Sequence, residues 1–206
     1  NKVMGHTLLG GGSPLNKFKE INAHLSRNSR TVYVELDGDN DKGNGSRAKP
    51  FATVSRALME LTGTARALTI DLGAGEHTCD SLAVKHGYCQ ITTQQGGQLK
   101  LLPSGGALAS AEFNAVLYVQ CDVIDASNAS YAAAFSVKGG STLIVNRANT
   151  VLTGNAQALL FNSYGQNAFY GVDAQFSAPA SIPLFAGGNS ESVAISQASV
   201  TYTNID

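Results

Sequence analysis

Acidic residues are the first candidates for chemistry, and the densest run of them is Asp37-Gly38-Asp39-Asn40-Asp41-Lys42-Gly43-Asn44-Gly45. Asp37, Asp39 and Asp41 hold the first, third and fifth places of a calcium-loop pattern, in which alternate carboxylates face one cation. That pattern next requires Gly at the sixth place and Glu at the twelfth, where this chain has Lys42 and Ala48. The three aspartates are the metal candidates. The broken pattern favours a polar turn, in which Asp, Asn and Gly adopt left-handed conformations and bond their own backbone.

Cleavage of a glycan is the second chemistry to weigh. Hydrolysis needs two carboxyl groups, about 5–5.5 Å apart for retention or about 6.5–9.5 Å for inversion. After residue 67 the acids are Asp71, Glu76, Asp80, Glu112, Asp122, Asp125, Asp173, Glu191 and Asp206. Asp122 and Asp125 are three apart, which places them on opposite faces of a strand. Asp173 and Glu191 are 18 apart, a poor match to the repeat described below. A lyase would need a base beside a carboxylate, as in Glu76-His77, but His77 reads as a structural imidazole. No G-x-S-x-G, H-E-x-x-H or phosphate loop occurs. No catalytic residue is assigned, and no cofactor is expected. Sugars also stack on aromatic rings. Tyr164, Phe169 and Tyr170 gather around one turn and are the candidates for glycan or receptor contact.

The elements that would carry these residues follow from the apolar pattern. Alternation marks strands at Val32, Val34 and Leu36 and again at Leu68, Ile70 and Leu72. Between them Phe51, Val54, Leu58 and Leu61 share a helical face over residues 51–61, with Arg56 and Glu60 turned away and Gly63 as the stop. Beyond residue 67 short β runs alternate with Gly-rich turns. Ala134-Phe135, Leu160-Phe161 and Leu184-Phe185 each open such a unit, and the three Phe are 26 and 24 residues apart. Spacing of that size signals a solenoid. A coil of about 24 residues would place between five and six coils after Leu68, with the Phe residues stacked inside.

Residues 1–30 read differently. Gly10-Gly11-Gly12 precedes Ser13-Pro14, a helix start, and Leu15, Phe18, Ile21 and Leu25 then form an apolar stripe at intervals of three and four. This is an N-terminal arm, either for attachment or for packing on its own domain. The domain itself is expected over 31–206.

Composition narrows the function. Charged residues make up 14% and the net charge is −1, so no electrostatic footprint for nucleic acid exists. No apolar run approaches the roughly 18 residues that span a bilayer, so no membrane insertion is expected, and no basic-then-apolar leader is visible. Cys79, Cys89 and Cys121 lack a C-x-x-C spacing and read as small buried hydrophobes of a chain matured in a reducing cytoplasm.

The ordered set Val32-Tyr33-Val34, Gly38-Asp39, Pro50-Phe51-Ala52-Thr53-Val54 with Ala57-Leu58, and Ile70 to His77 resembles the opening module of pectin-lyase-like parallel β-helix proteins, most closely those of bacteriophage tail fibres and tailspikes. The fold expected is all-β: a short right-handed parallel β-helix with an N-terminal capping helix and an N-terminal arm. The resemblance implies a structural virion protein of a phage tail (fibre, spike or baseplate), assembled in the bacterial cytoplasm as a homotrimer. Its partners would be other virion tail proteins, with host surface polysaccharide as a further contact. The alternative is a tailspike polysaccharide depolymerase of the same fold. A bacterial surface adhesin is a third reading, disfavoured by the missing leader.

Overall fold

A computed structural model describes residues 30–61, 67–80, 82–102, 107–129, 133–152, 156–163, 165–179, 181–183, 185–187, 192–196 and 200–204. The expected arm (all of it before Arg30), Gly63 and Tyr164 lie outside them. The chain enters in β1 (Arg30–Val34) and passes through helix α1 (Val54–Leu58). Five coils of three strands follow. They are β2 (Ala67–Leu72), β3 (Gly75–Asp80) and β4 (Leu82–Val84); β5 (Tyr88–Thr93), β6 (Gly97–Leu102) and β7 (Ala107–Glu112); β8 (Val116–Gln120), β9 (Val123–Asp125) and β10 (Ala133–Lys138); β11 (Thr142–Asn146), β12 (Asn149–Val151) and β13 (Ala158–Ser163); β14 (Gln166–Val172), β15 (Ala174–Ala178) and β16 (Phe185–Gly187). β17 (Ser192–Ser196) and β18 (Val200–Asn204) add two further strands. Like strands of successive coils pair in parallel and build three sheets. The first holds β1 and the opening strand of every coil, the second begins at β3, and the third begins at β4. The described chain is therefore a parallel β-solenoid with little helix.

Alternation explains why each strand lies where it does. In the first sheet Leu68, Cys89, Leu117, Leu143 and Phe169 are register partners in succession and line the interior. Leu117 to Leu143 and Leu143 to Phe169 are each 26 residues, whereas Leu68 to Cys89 is 21 and Cys89 to Leu117 is 28. The repeat is thus regular only from the third coil onward. At about 4.8 Å per strand, the seven strands of the first sheet rise about 29 Å.

Two expectations are corrected. Phe161 does not stack on Phe135. Phe135 pairs with Leu160 and Leu160 with Phe185, while Phe161 pairs with the outward Ser136. One step along a strand reverses the face, so Leu160 is fully buried inside and Phe161 lies half-buried outside. The interior rings that meet are instead Phe135, Phe169 and Phe176, with centroids 5.8 and 6.1 Å apart in sequence order. The helix is also shorter than 51–61. Phe51 is taken into the sheet, where its N–H donates to the Tyr33 carbonyl at 2.9 Å and its carbonyl accepts from the Glu35 N–H at 3.0 Å. Thr53 then caps α1 by accepting from the Arg56 N–H. Val54, Ala57 and Leu61 bury their side chains, and Leu58 is only partly covered.

The corner between the third and first sheets is built alike in successive coils. Phe113 and Asn114, Gly139 and Gly140, and Gly165 all carry positive φ there. At Gly165, with φ 91°, a Cβ would also stand 2.9 Å from the Gly140 nitrogen, so only glycine fits. Asn167 fills the adjoining position, and its Oδ1 accepts from the N–H groups of Gly140 and Ser141 at 2.9 and 3.1 Å.

Candidate functional site

The loop after β1 puts Asp39 and Asn40 to structural use. Asp39 Oδ1 accepts from the backbone N–H groups of Asp41 and Lys42 at 2.8 and 2.9 Å, and these bonds lower its pKa. Asn40 reaches the other way, its Oδ1 accepting from the N–H groups of Ala52 and Thr53 and its Nδ2 donating to Thr53 Oγ1. The loop is thereby tied to the start of α1. Among the described residues no three His, Cys, Asp or Glu side chains come together as a cation site, Asp37, Asp39 and Asp41 included.

The aromatic candidates separate. Phe169 is 4% exposed and points into the solenoid, so it offers no face to a ligand. Tyr170, the next residue, faces out from the first sheet and is half-buried beside Ile144. His77 is an interior residue, 2% exposed, with Nε2 2.9 Å from the Gly73 carbonyl oxygen. Cys79, Cys89 and Cys121 are interior too, and burial pushes each thiol up to about 12.

The outer face of the second sheet is polar. One row runs Glu76, Gln98, Val123, Asn149 and Gln175, and the next runs Thr78, Lys100, Asp125, Val151 and Ser177. Adjacent strands set the amide, hydroxyl and charged groups about 4.8 Å apart. Lys100 Nζ is 3.7 Å from Glu76 Oε1 and is the register partner of Asp125. Ser177 Oγ donates to Asn149 Oδ1 at 3.0 Å. Glu76 and Asp125 are two strands and two residues apart, roughly 12 Å at the backbone, which exceeds the spacing of a hydrolytic pair. This face can offer hydrogen bonds to a hydroxyl-rich ligand.

A second polar group, for which the sequence reading assigned no role, sits at the edge of the first sheet. Asp71 is the register partner of Tyr33, and the Arg47 guanidinium lies 4.6 Å above the Tyr33 ring. Burial raises the Asp71 pKa, against the opposing pull of the Gln94 N–H and the Arg47 charge. Glu35 also lies within electrostatic reach of Arg47. The alternation Thr69-Ile70-Asp71 showed that Asp71 would face outward. Nothing in the spacing showed that Arg47, from the preceding loop, would come within electrostatic reach of it.

Compared with known proteins, the chain matches no family model, no curated protein and no solved structure. Among the described residues, no helix is long and apolar enough to cross a membrane.

Proposed function

We propose that the chain is a structural component of a bacteriophage tail, at a fibre, spike or baseplate, assembled as a homotrimer with other virion tail proteins. In this reading the coils wind right-handed, α1 closes the N-terminal end of the stack, and residues 1–30 form an arm. The solenoid is a stiff spacer, and the polar outer face of its second sheet meets host surface polysaccharide. The observation that carries the proposal is the in-register parallel stack with its low-charge exterior, joined to the ordered motif set of the opening residues. A solenoid resists bending because every strand is hydrogen-bonded to the coils on either side. Two measurements test it. Labelled antibody to the chain should decorate the tail of intact particles, and light scattering should give three times the 21.4 kDa chain mass. A well-behaved monomer at micromolar concentration would overturn the trimer, and unlabelled tails would overturn the location.

One observation favours the alternative, a polysaccharide depolymerase: Asp71, with its raised pKa, and Glu35 both stand near Arg47. A carboxyl whose pKa is raised by burial is the kind of group a general acid uses. The assembled oligomer should nevertheless release no reducing ends or unsaturated sugars from host capsule or lipopolysaccharide. Release that Asp71→Asn abolishes would make the depolymerase the better reading.

A further inference from the structure

Phe113 stands at the corner between the third and first sheets with φ 50°, and Asn114 follows it at φ 64°. A bulky side chain is rare in this left-handed region, because its Cβ crowds the following carbonyl oxygen. The next coil makes the same corner with Gly139 and Gly140, which adopt it without that clash. Asn also tolerates it. Phe113 is the exception, and its ring is not taken into the interior: the residue is 53% exposed. A turn alone would be better served by Gly or Asn. Strained residues of this kind gather at ligand-binding positions.

The surroundings of the ring decide the class of ligand. Glu112 and Lys138 are paired beside it at 3.2 Å, with Lys138 Nζ 5.5 Å from the ring centroid. Ser110 Oγ donates to Glu112 Oε1 at 3.0 Å. Gly139 leaves room for the ring, since a Cβ there would stand 3.0 Å from Phe113 Cδ1. The other exposed large apolar side chains among the described residues are Leu36 and Met59. Both belong to the opening segment of the described chain, so no exposed apolar patch surrounds Phe113. A protein partner would need an apolar centre to its interface. A lone ring among carboxylate, ammonium and hydroxyl groups instead suits a sugar, whose C–H face stacks on the ring while its hydroxyls meet the polar groups. We propose that Phe113, Glu112 and Lys138 form a subsite for a neutral pyranose. The ring is the platform, the Glu112 carboxylate accepts from the sugar hydroxyls and the Lys138 ammonium donates to them. An ammonium carries three N–H groups, so Lys138 can serve the sugar without leaving Glu112. This subsite is separate from the polar outer face of the second sheet.

Fluorine-labelled phenylalanine in the full, assembled chain gives the test. The Phe113 signal is the one that Phe113→Asn deletes. Methyl galactoside or methyl glucoside should move it saturably, whereas sorbitol, which has hydroxyls but no rigid ring face, should not. A Phe113 signal that neither sugar moves would overturn the subsite, and the contact of the second sheet with polysaccharide stands or falls separately. A signal that moves with protein concentration alone would assign the ring to contact between chains and overturn it as well. Stability supplies the second arm. Phe113→Asn suits the left-handed backbone, so its melting temperature should be unchanged or raised. A fall would assign the ring to the fold and overturn the proposal.

Discussion

Asn146 Nδ2 donates to the Tyr118 hydroxyl at 2.7 Å, across neighbouring strands on the outer face of the first sheet. The same hydroxyl donates to Gln120 Oε1 at 2.6 Å. Tyr118 is nearly inaccessible to water, so these bonds replace its hydration. Asn146→Ala removes one of these bonds and leaves the bond to Gln120, so it should cost about 0.5–1.5 kcal/mol, the usual net worth of one hydrogen bond. Urea denaturation measures it through the midpoint, with the slope unchanged.

The two phenylalanines on opposite faces of the third sheet should differ sharply. Phe135→Ala opens a cavity in the interior and should cost about 3–5 kcal/mol. Phe161→Ala removes a half-buried outward ring and should cost well under half as much. Thermal melts of the two variants compare them, and equal losses would mean that the register is wrong.

Glu60 joins the end of the helical segment to the first strand. It pairs with Arg56 at 2.8 Å and with Arg30. The Arg56 hydrogen bond, helped by the nearby charges, lowers its pKa against the opposing effect of burial. A depressed folded pKa supplies stability above the unfolded value, and that stability is lost as pH falls through the folded one. Glu60→Gln should thus destabilise by about 0.5–1 kcal/mol at neutral pH. The difference from the parent chain should shrink as pH falls below the ordinary carboxylate range, as read from denaturation midpoints across a pH series.

Burial holds all three thiols protonated at ordinary pH, and thiolate is the reactive form. A thiol-specific alkylating reagent at pH 8 should label none of Cys79, Cys89 and Cys121 in the folded chain. All three should react after denaturation, and mass spectrometry of the peptides would locate any exception.

Much of the fold was legible because alternation is a local signal. Val32, Val34, Leu68, Ile70 and Leu72 sit inside as their spacing requires, whereas Leu36, read with the first strand, lies beyond the end of β1 and is 60% exposed. Register was harder. Leu160-Phe161 offers two adjacent apolar side chains, and aligning the larger one with Phe135 moves the strand by a single step, enough to exchange inside for outside. Helix length was misjudged because Phe51 fits a helical stripe and a strand edge equally well, and its backbone found a partner in Tyr33. The candidate contacts fared unevenly for the same reason: adjacent Phe169 and Tyr170 must face opposite ways. The Asp71 and Arg47 grouping was illegible, since it depends on how a loop folds back over a sheet.

The constant interval between Leu117, Leu143 and Phe169 makes this part of the molecule a ruler with equal graduations. Duplicating one block of 26 residues, from Thr142 through Asn167, would return the chain to the same corner in the same phase. Each sheet would gain one strand, the interior would keep its columns, and the shaft would lengthen by about 4.8 Å. A block of another length would have to take up the difference in its corners, as the 21- and 28-residue intervals of the earlier coils do. Length in such a protein is therefore inherited in whole steps, and a lineage can change its reach by copying sequence without redesigning a single contact.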